Sequence, residues 1–148
     1  MVIRKLITKV MTAAMGAIAV ISVGSMVFAN NYYDTEAELY LDEANGIEEA
    51  YTSGRYKDDD SSGYIKHQWS SDGRDYVVAL VACDDDSGTE YYEDFKLFYY
   101  KITGDNNGQE VYLTNYVKES GYNYAAIKAF SDLESGYWVN FLWSPDSV

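Results

Sequence analysis

From residue 64 onward, runs of aromatic and β-branched residues alternate with clusters of Gly, Asp, Asn and Ser, and the clusters come too often to leave room for helices. Such side chains suit the pleated surface of a sheet, and the punctuation between them suits tight turns. The one proline, Pro145, stands beyond the last run, so nothing interrupts a ladder of hydrogen bonds. All 16 tyrosines lie after residue 29.

Six runs read as strands: Tyr64–Trp69, Tyr76–Cys83, Phe95–Ile102, Gln109–Val117, Tyr122–Phe130 and Tyr137–Trp143. The first places Ile65, His67 and Trp69 on one face, and the last does the same for Tyr137, Val139, Phe141 and Trp143. Tyr76–Cys83 is apolar almost throughout, as expected of a central strand covered on both sides. Ser71-Asp72-Gly73 and the stretch from Gly104 to Gly108 have hairpin chemistry. The expected class is all-β, an antiparallel sandwich or small barrel of about six to eight strands.

The N-terminal part reads differently. Arg4, Lys5 and Lys9 precede an apolar run from Val10 to Phe28, and Val27-Phe28-Ala29 offers small residues at the two positions a signal peptidase reads. Residues 1–29 are therefore expected to be a cleaved Sec-type signal peptide, with no membrane span once it is removed and a secreted, extracellular product. Residues 30–57 form an extended or partly helical segment, and residues 58–148 the sandwich core. Within Asp34–Tyr51 two patterns compete. Thr35 with Glu38 has the form of a capping box, and Ala37, Leu41, Ala44, Ile47 and Tyr51 recur at helical spacing. Ala37, Leu39 and Leu41 also alternate as in a strand, and Gly46 weakens a long helix.

The formal net charge is −13, and loss of the leader removes three basic residues and no acid. That balance excludes nucleic-acid binding, which needs a basic footprint. It keeps an exported protein soluble. The single cysteine, Cys83, cannot form an internal disulfide.

No catalytic set emerges. His67 and Cys83 are each alone of their kind. If the chain reverses tightly at Asp72, Val77 faces His67 and Cys83 lies beyond the partner strand, out of reach for a nucleophile and its base. One His and one Cys cannot supply a usual zinc set. Asp58, Asp60, Ser62 and Gly63 match the first half of an EF-hand loop, but Trp69 stands where the closing glutamate belongs. A looser calcium site is the metal alternative, with Asp84, Asp86 and Glu90 as its candidate ligands; otherwise no cofactor is implied. For ligand binding the candidates are aromatic: Tyr99, Tyr112, Tyr122, Trp138 and Trp143. They suit a cell-envelope component, a glycan or another protein.

Gly136-Tyr137-Trp138, then Leu142-Trp143-Ser144-Pro145-Asp146-Ser147, with Gly54-Arg55-Tyr56 earlier, resembles a family of small uncharacterised exported β-rich proteins of Gram-positive bacteria. More distantly, the plan is similar to the lactococcin-like secreted bacteriocins: a leader, a disulfide-free β-sandwich and aromatics in the closing strand. That likeness implies a bacteriocin-like or envelope-interacting role, though this chain is longer and strongly acidic. It supplies no catalytic residue. The expectation is thus a non-enzymatic binding protein at or outside the envelope, with an acidic carbohydrate-binding module or small glycan-active enzyme, and a calcium-stabilised structural protein, as alternatives.

Processing can be checked directly. Amino-terminal sequencing of the protein from culture medium is expected to start at Asn30; an intact leader held in the membrane fraction would show an anchor instead.

Overall fold

Side chains alternate across a strand, so a strand with one apolar face needs one covered side, and a strand apolar throughout needs two. That distinction sorts the chain into two sheets. The structure is a computed structural model describing residues 33–42, 49–131 and 136–147. The expected leader with its expected cleavage point after Ala29, and Ala44, Gly46 and Ile47 of the ambiguous segment, lie outside the described residues.

Among the described residues the strands are β1 (Thr35–Leu41), β2 (Glu49–Tyr51), β3 (Arg55–Tyr56), β4 (Gly63–Ser70), β5 (Tyr76–Cys83), β6 (Tyr91–Tyr92), β7 (Tyr100–Ile102), β8 (Glu110–Leu113), β9 (Tyr124–Phe130) and β10 (Tyr137–Ser144), with a 3-10 turn at Ser71–Gly73. The fold is all-β and antiparallel. The first sheet runs β1-β10-β4-β8. In the second, β9 and β5 lie at the centre, with β2 and β3 in tandem along one flank and β6 and β7 along the other. Leu39, Ile65, Val78, Leu80, Ile127, Val139 and Phe141 pack between the sheets as one core. The ambiguous N-terminal segment is a strand where it is described: Ala37, Leu39 and Leu41 are buried, and Glu36, Glu38 and Tyr40 take the other face.

Three expectations need correction. First, β4 and β5 form no hairpin. Asp72 and Gly73 do adopt positive φ, 56° and 62°, but the Arg74 amide bonds back to the Ser71 carbonyl and the chain crosses to the other sheet. The reason is burial. β4 keeps one solvated face with Tyr64, Lys66 and Trp69, whereas β5 is buried on both and cannot lie beside it. The stretch from Gly104 to Gly108 changes sheet in the same way, joining β7 to β8.

Second, Phe95–Ile102 is a strand only over its last three residues. Residues 84–90 instead turn the chain into β6 beside β5, and the strap after it, residues 93–99, lays Leu97 on the outer face of the second sheet, where Tyr51, Val81, Cys83, Tyr91 and Ala126 form a smaller core with Tyr124 also against it. With Tyr51 and Tyr91, this strap gives β5 its second cover. Lys128 fastens it from beneath: its Nζ meets Glu93 Oε1 at 2.9 Å and Glu49 Oε1 at 3.1 Å. The Tyr51 hydroxyl donates toward both carboxylates. Burial opposes the charge on Lys128, but Glu93 and Glu49 outweigh it and raise the ammonium above its usual range. Gly54 lies so close to the Asp85 carbonyl and Cys83 Sγ that a Cβ there would collide with both.

Third, Trp69 does not share a face with Ile65 and His67. Phe141 pairs with His67 but Asn140 pairs with Trp69, so Gln68 is an extra residue, a β-bulge that flips everything after it. Ile65 and His67 are buried, and Trp69 is turned out. In β10, by contrast, Tyr137, Val139, Phe141 and Trp143 all turn inward as their alternation predicts.

A buried ion pair ties the sheets together at one end. Lys57, with 0% of its surface exposed, donates to the Ser61 carbonyl at 2.7 Å, the Pro145 carbonyl at 2.8 Å and Asp146 Oδ1 at 3.0 Å. Three N–H donors meet three acceptors. Asp146 also accepts from the Asp58 and Asp59 amides, so its charge is equally well solvated by protein.

Two measurements follow. Lys57→Met leaves Asp146 buried and unpaired, and should cost about 3–5 kcal/mol in denaturant unfolding, with Lys57→Met/Asp146→Leu losing less than the single variant. Burial, with Asp84, Asp85 and Asp86 nearby, pushes the Cys83 thiol from 9.0 up to about 12. Between those values the folded state holds the proton that the unfolded state has lost, so stability should fall as pH rises through that window. Below it, a thiol reagent should label Cys83 only as fast as the protein opens, and rapid labelling of the native protein would contradict the placement.

Candidate functional site

The two residues with nucleophile and base chemistry are kept apart. His67 turns into the sandwich from the first sheet, and Cys83 faces outward from the second, into the smaller core. His67 Nε2 lies 3.0 Å from the Gly104 carbonyl, which can only accept, so that nitrogen carries the proton. Its Nδ1 lies 2.9 Å from the Tyr76 hydroxyl, whose ionisation burial pushes up, leaving Tyr76 as donor. Both ring nitrogens are spent on holding β4, β5 and the 104 turn together. The residue is structural.

The acidic loop is likewise occupied with itself. Asp84 accepts from the Thr89 hydroxyl at 2.6 Å and the Glu90 amide at 3.0 Å; these bonds outweigh its partial burial and hold its carboxyl below the usual range. Glu90 accepts from the Tyr92 hydroxyl at 3.0 Å. Among the described residues no group of three His, Cys, Asp or Glu side chains is gathered as a metal would need, so Asp84, Asp86 and Glu90 do not converge.

The aromatic candidates scatter. Trp143 is 1% exposed and part of the main core, with the Arg55 guanidinium 5.3 Å from its ring centroid, so it cannot meet a ligand. The inward alternation of β10 puts it there. Tyr122 is half-buried, stacked on Tyr92 at 5.0 Å and bonded to Asp94. Tyr99 is exposed on the second sheet's side, edge-on to Phe130. Only Tyr112 and Trp138 share a surface, the outer face of the first sheet.

That face carries three exposed large aromatics among the described residues, Trp69, Tyr112 and Trp138. Its rows follow from register: Glu36, Leu142, Lys66 and Glu110 in one, Glu38, Asn140 and Trp69 in the next, then Tyr40 beside Trp138. Tyr64 and Tyr112 pair at the far side, 5.5 Å between centroids. Trp69 and Trp138 are each 40% exposed. Tyr40 lies 5.2 Å from Trp138 and fits because Gly136 has no side chain to displace its ring. Trp69 escaped the sequence reading because a bulge is not written in a two-residue alternation, whereas the outward place of Asn140 follows from the regular alternation of β10. Glu36, Glu38 and Tyr40 had a legible signal in their i, i+2, i+4 spacing. Elsewhere, a cleft of about 540 Å³ is lined by Asp75, Tyr76, Val77, Lys101 and Phe130, and its charges are paired, Lys101 with Asp75 at 2.9 Å.

Comparison with curated proteins gives no match. Among solved structures, hydroquinone 1,2-dioxygenase from Sphingomonas sp. TTNP3, with 4-hydroxybenzoate bound, is similar at a TM-score of 0.36 and 10% identity, over 81% of this chain. The chain spans 64% of that enzyme's length, a likeness too distant to carry function. The sequence profile described as "Protein of unknown function (DUF2712)" matches residues 25–147, and the chain belongs to that family.

Proposed function

We propose that this is a secreted, non-enzymatic binding protein acting at or outside the cell envelope, with the outer face of the first sheet as its contact surface. The observation that carries this reading is the exposure of Trp69, Trp138 and Tyr112 on the same sheet face. Exposed indoles and phenols are costly to leave in water and rewarding to cover, because each offers a large rigid apolar area with few rotamers to freeze. The leader supports export, and the acidic balance supports solubility outside the cell. The closing motifs support a Gram-positive source, and with it a bacteriocin-like action on related cells as the finer form of the same reading.

The test is retention. The exported protein is expected to sediment with purified Gram-positive walls, and Trp69→Ala/Trp138→Ala to stay in solution with its melting temperature unchanged. Failure of the parent protein to sediment would overturn envelope binding; equal sedimentation of the variant would move the contact surface elsewhere. Growth inhibition of a panel of related bacteria separates a bacteriocin-like factor from a silent binder.

A further inference from the structure

The turn from Gly104 to Gly108 carries an Asn-Gly pair, Asn107-Gly108, with both residues exposed. Such a pair holds the parts of a reaction within itself. The Gly108 nitrogen can attack the Asn107 side-chain carboxamide, closing a five-membered succinimide and releasing ammonia. Water then opens the ring at either carbonyl, leaving aspartate or isoaspartate. Glycine favours the step because it has no side chain to obstruct the closing ring. Gly108 has φ 89°, and apart from its chain neighbours nothing lies within 4 Å of where its Cβ would be. Water has access, and the ring has room.

A second observation concerns the attacking nitrogen. It becomes a nucleophile only by giving up its proton, and the Gly108 N–H donates to the His67 carbonyl at 2.7 Å. The His67 amide in turn donates to the Gln109 carbonyl at 2.9 Å, so β4 grips the turn by two main-chain bonds at one residue. The His67 ring adds a third, from Nε2 to the Gly104 carbonyl at 3.0 Å. Gly104 is fixed from the other side, its amide donating to Asp75 Oδ1 at 3.0 Å. Within the turn the Gln109 amide donates to the Asn106 carbonyl at 3.0 Å, and the Gln109 side chain accepts from the Thr103 amide at 2.9 Å. Ring closure needs the main chain at Asn107 and Gly108 to rotate, and backbone held at so many points resists until the turn opens locally.

We infer that Asn107 is a deamidation site guarded in the native fold by the His67 carbonyl, and that each opening of the turn exposes it to a one-way change. The bond from Asn107 Cγ to its amide nitrogen breaks, a bond from Cγ to the Gly108 nitrogen forms, and the Gly108 proton leaves with the ammonia. Water supplies the atoms that reopen the ring. The isoaspartate product has one more methylene in the main chain between residues 107 and 108. The Gly108 N–H and the Gln109 carbonyl then no longer meet the His67 carbonyl and amide in register, so a turn that has converted cannot close as before. This inference stands apart from the binding reading above: it concerns how long the fold lasts, not what it touches.

The test is peptide mapping by mass spectrometry, with isoaspartate detected by enzymatic methylation. The full exported protein is held at mildly alkaline pH, in native buffer and in guanidinium chloride. In denaturant a second Asn-Gly pair, Asn45-Gly46, gives an internal reference for the unguarded rate. Asn107 is expected to convert at a rate close to that reference in denaturant, and about 10-fold or more slowly in the native protein. Gln109→Ala, which removes the acceptor for the Thr103 amide at a half-buried position, should speed native conversion several-fold with the melting temperature nearly unchanged. Converted protein, once refolded, should melt below Asn107→Asp, which has the added charge without the added methylene. Native conversion as fast as in denaturant would overturn the guard. A denatured chain that converts at Asn45 and not at Asn107 would overturn the site. An unchanged native rate in Gln109→Ala would overturn gating by the turn, and equal melting of converted protein and Asn107→Asp would overturn the one-way change.

Discussion

Strand β5 has no solvated face. Val78, Leu80 and Ala82 turn into the sandwich, and Ala79, Val81 and Cys83 turn away from it, yet all six are buried. Burying a residue of this kind contributes up to about 1.5–3 kcal/mol, and the strand realises that gain only if something covers both sides. Much of the architecture answers that demand. The first sheet covers one side; Tyr51, Tyr91 and the strap of residues 93–99, fastened through Glu93 to Lys128, cover the other. Gly54 is required where the loop after β5 meets the chain before β3, since any larger residue would push the Asp85 carbonyl away.

The same demand leaves the first sheet free. Because covering material is spent on the second sheet, the outer face of β1, β10 and β4 keeps Trp69, Trp138 and the Glu36–Asn140–Glu38 group in contact with solvent or close beneath it. The chemistry of the molecule therefore divides cleanly. Its buried polar groups elsewhere, Lys57, His67 and Lys128, are saturated with partners and hold elements together. Asn140 differs: within the described residues its Oδ1 is the one buried side-chain polar atom without a hydrogen-bond partner.

Side-chain alternation carried a good deal of this in the sequence. The inward set of β10 and the double burial of β5 were legible because hydrophobic period and hydrophobic run are local properties. What escaped was anything depending on which strand lies next to which. Ser71-Asp72-Gly73 has the residues of a hairpin and uses their positive φ to change sheets instead. Trp69 was assigned to the wrong face because one extra residue, Gln68, inverts the alternation, and a bulge is decided by the partner strand. Trp143 was a ligand candidate by residue type, although its alternation with Tyr137, Val139 and Phe141 already placed it on the face that the core takes.

The pairing of β1 has a consequence in time. Thr35 meets Trp143 and Leu41 meets Tyr137, and among the described strands β1 is bonded to β10 alone. A chain made from its amino terminus therefore presents β1 long before its partner exists, and closing so wide a loop is entropically slow compared with forming local turns. The first sheet, and the face it carries, can assemble only once β10 has emerged. Until then the polypeptide has no finished sandwich, and its two ends stay as far apart as the rest of the chain allows.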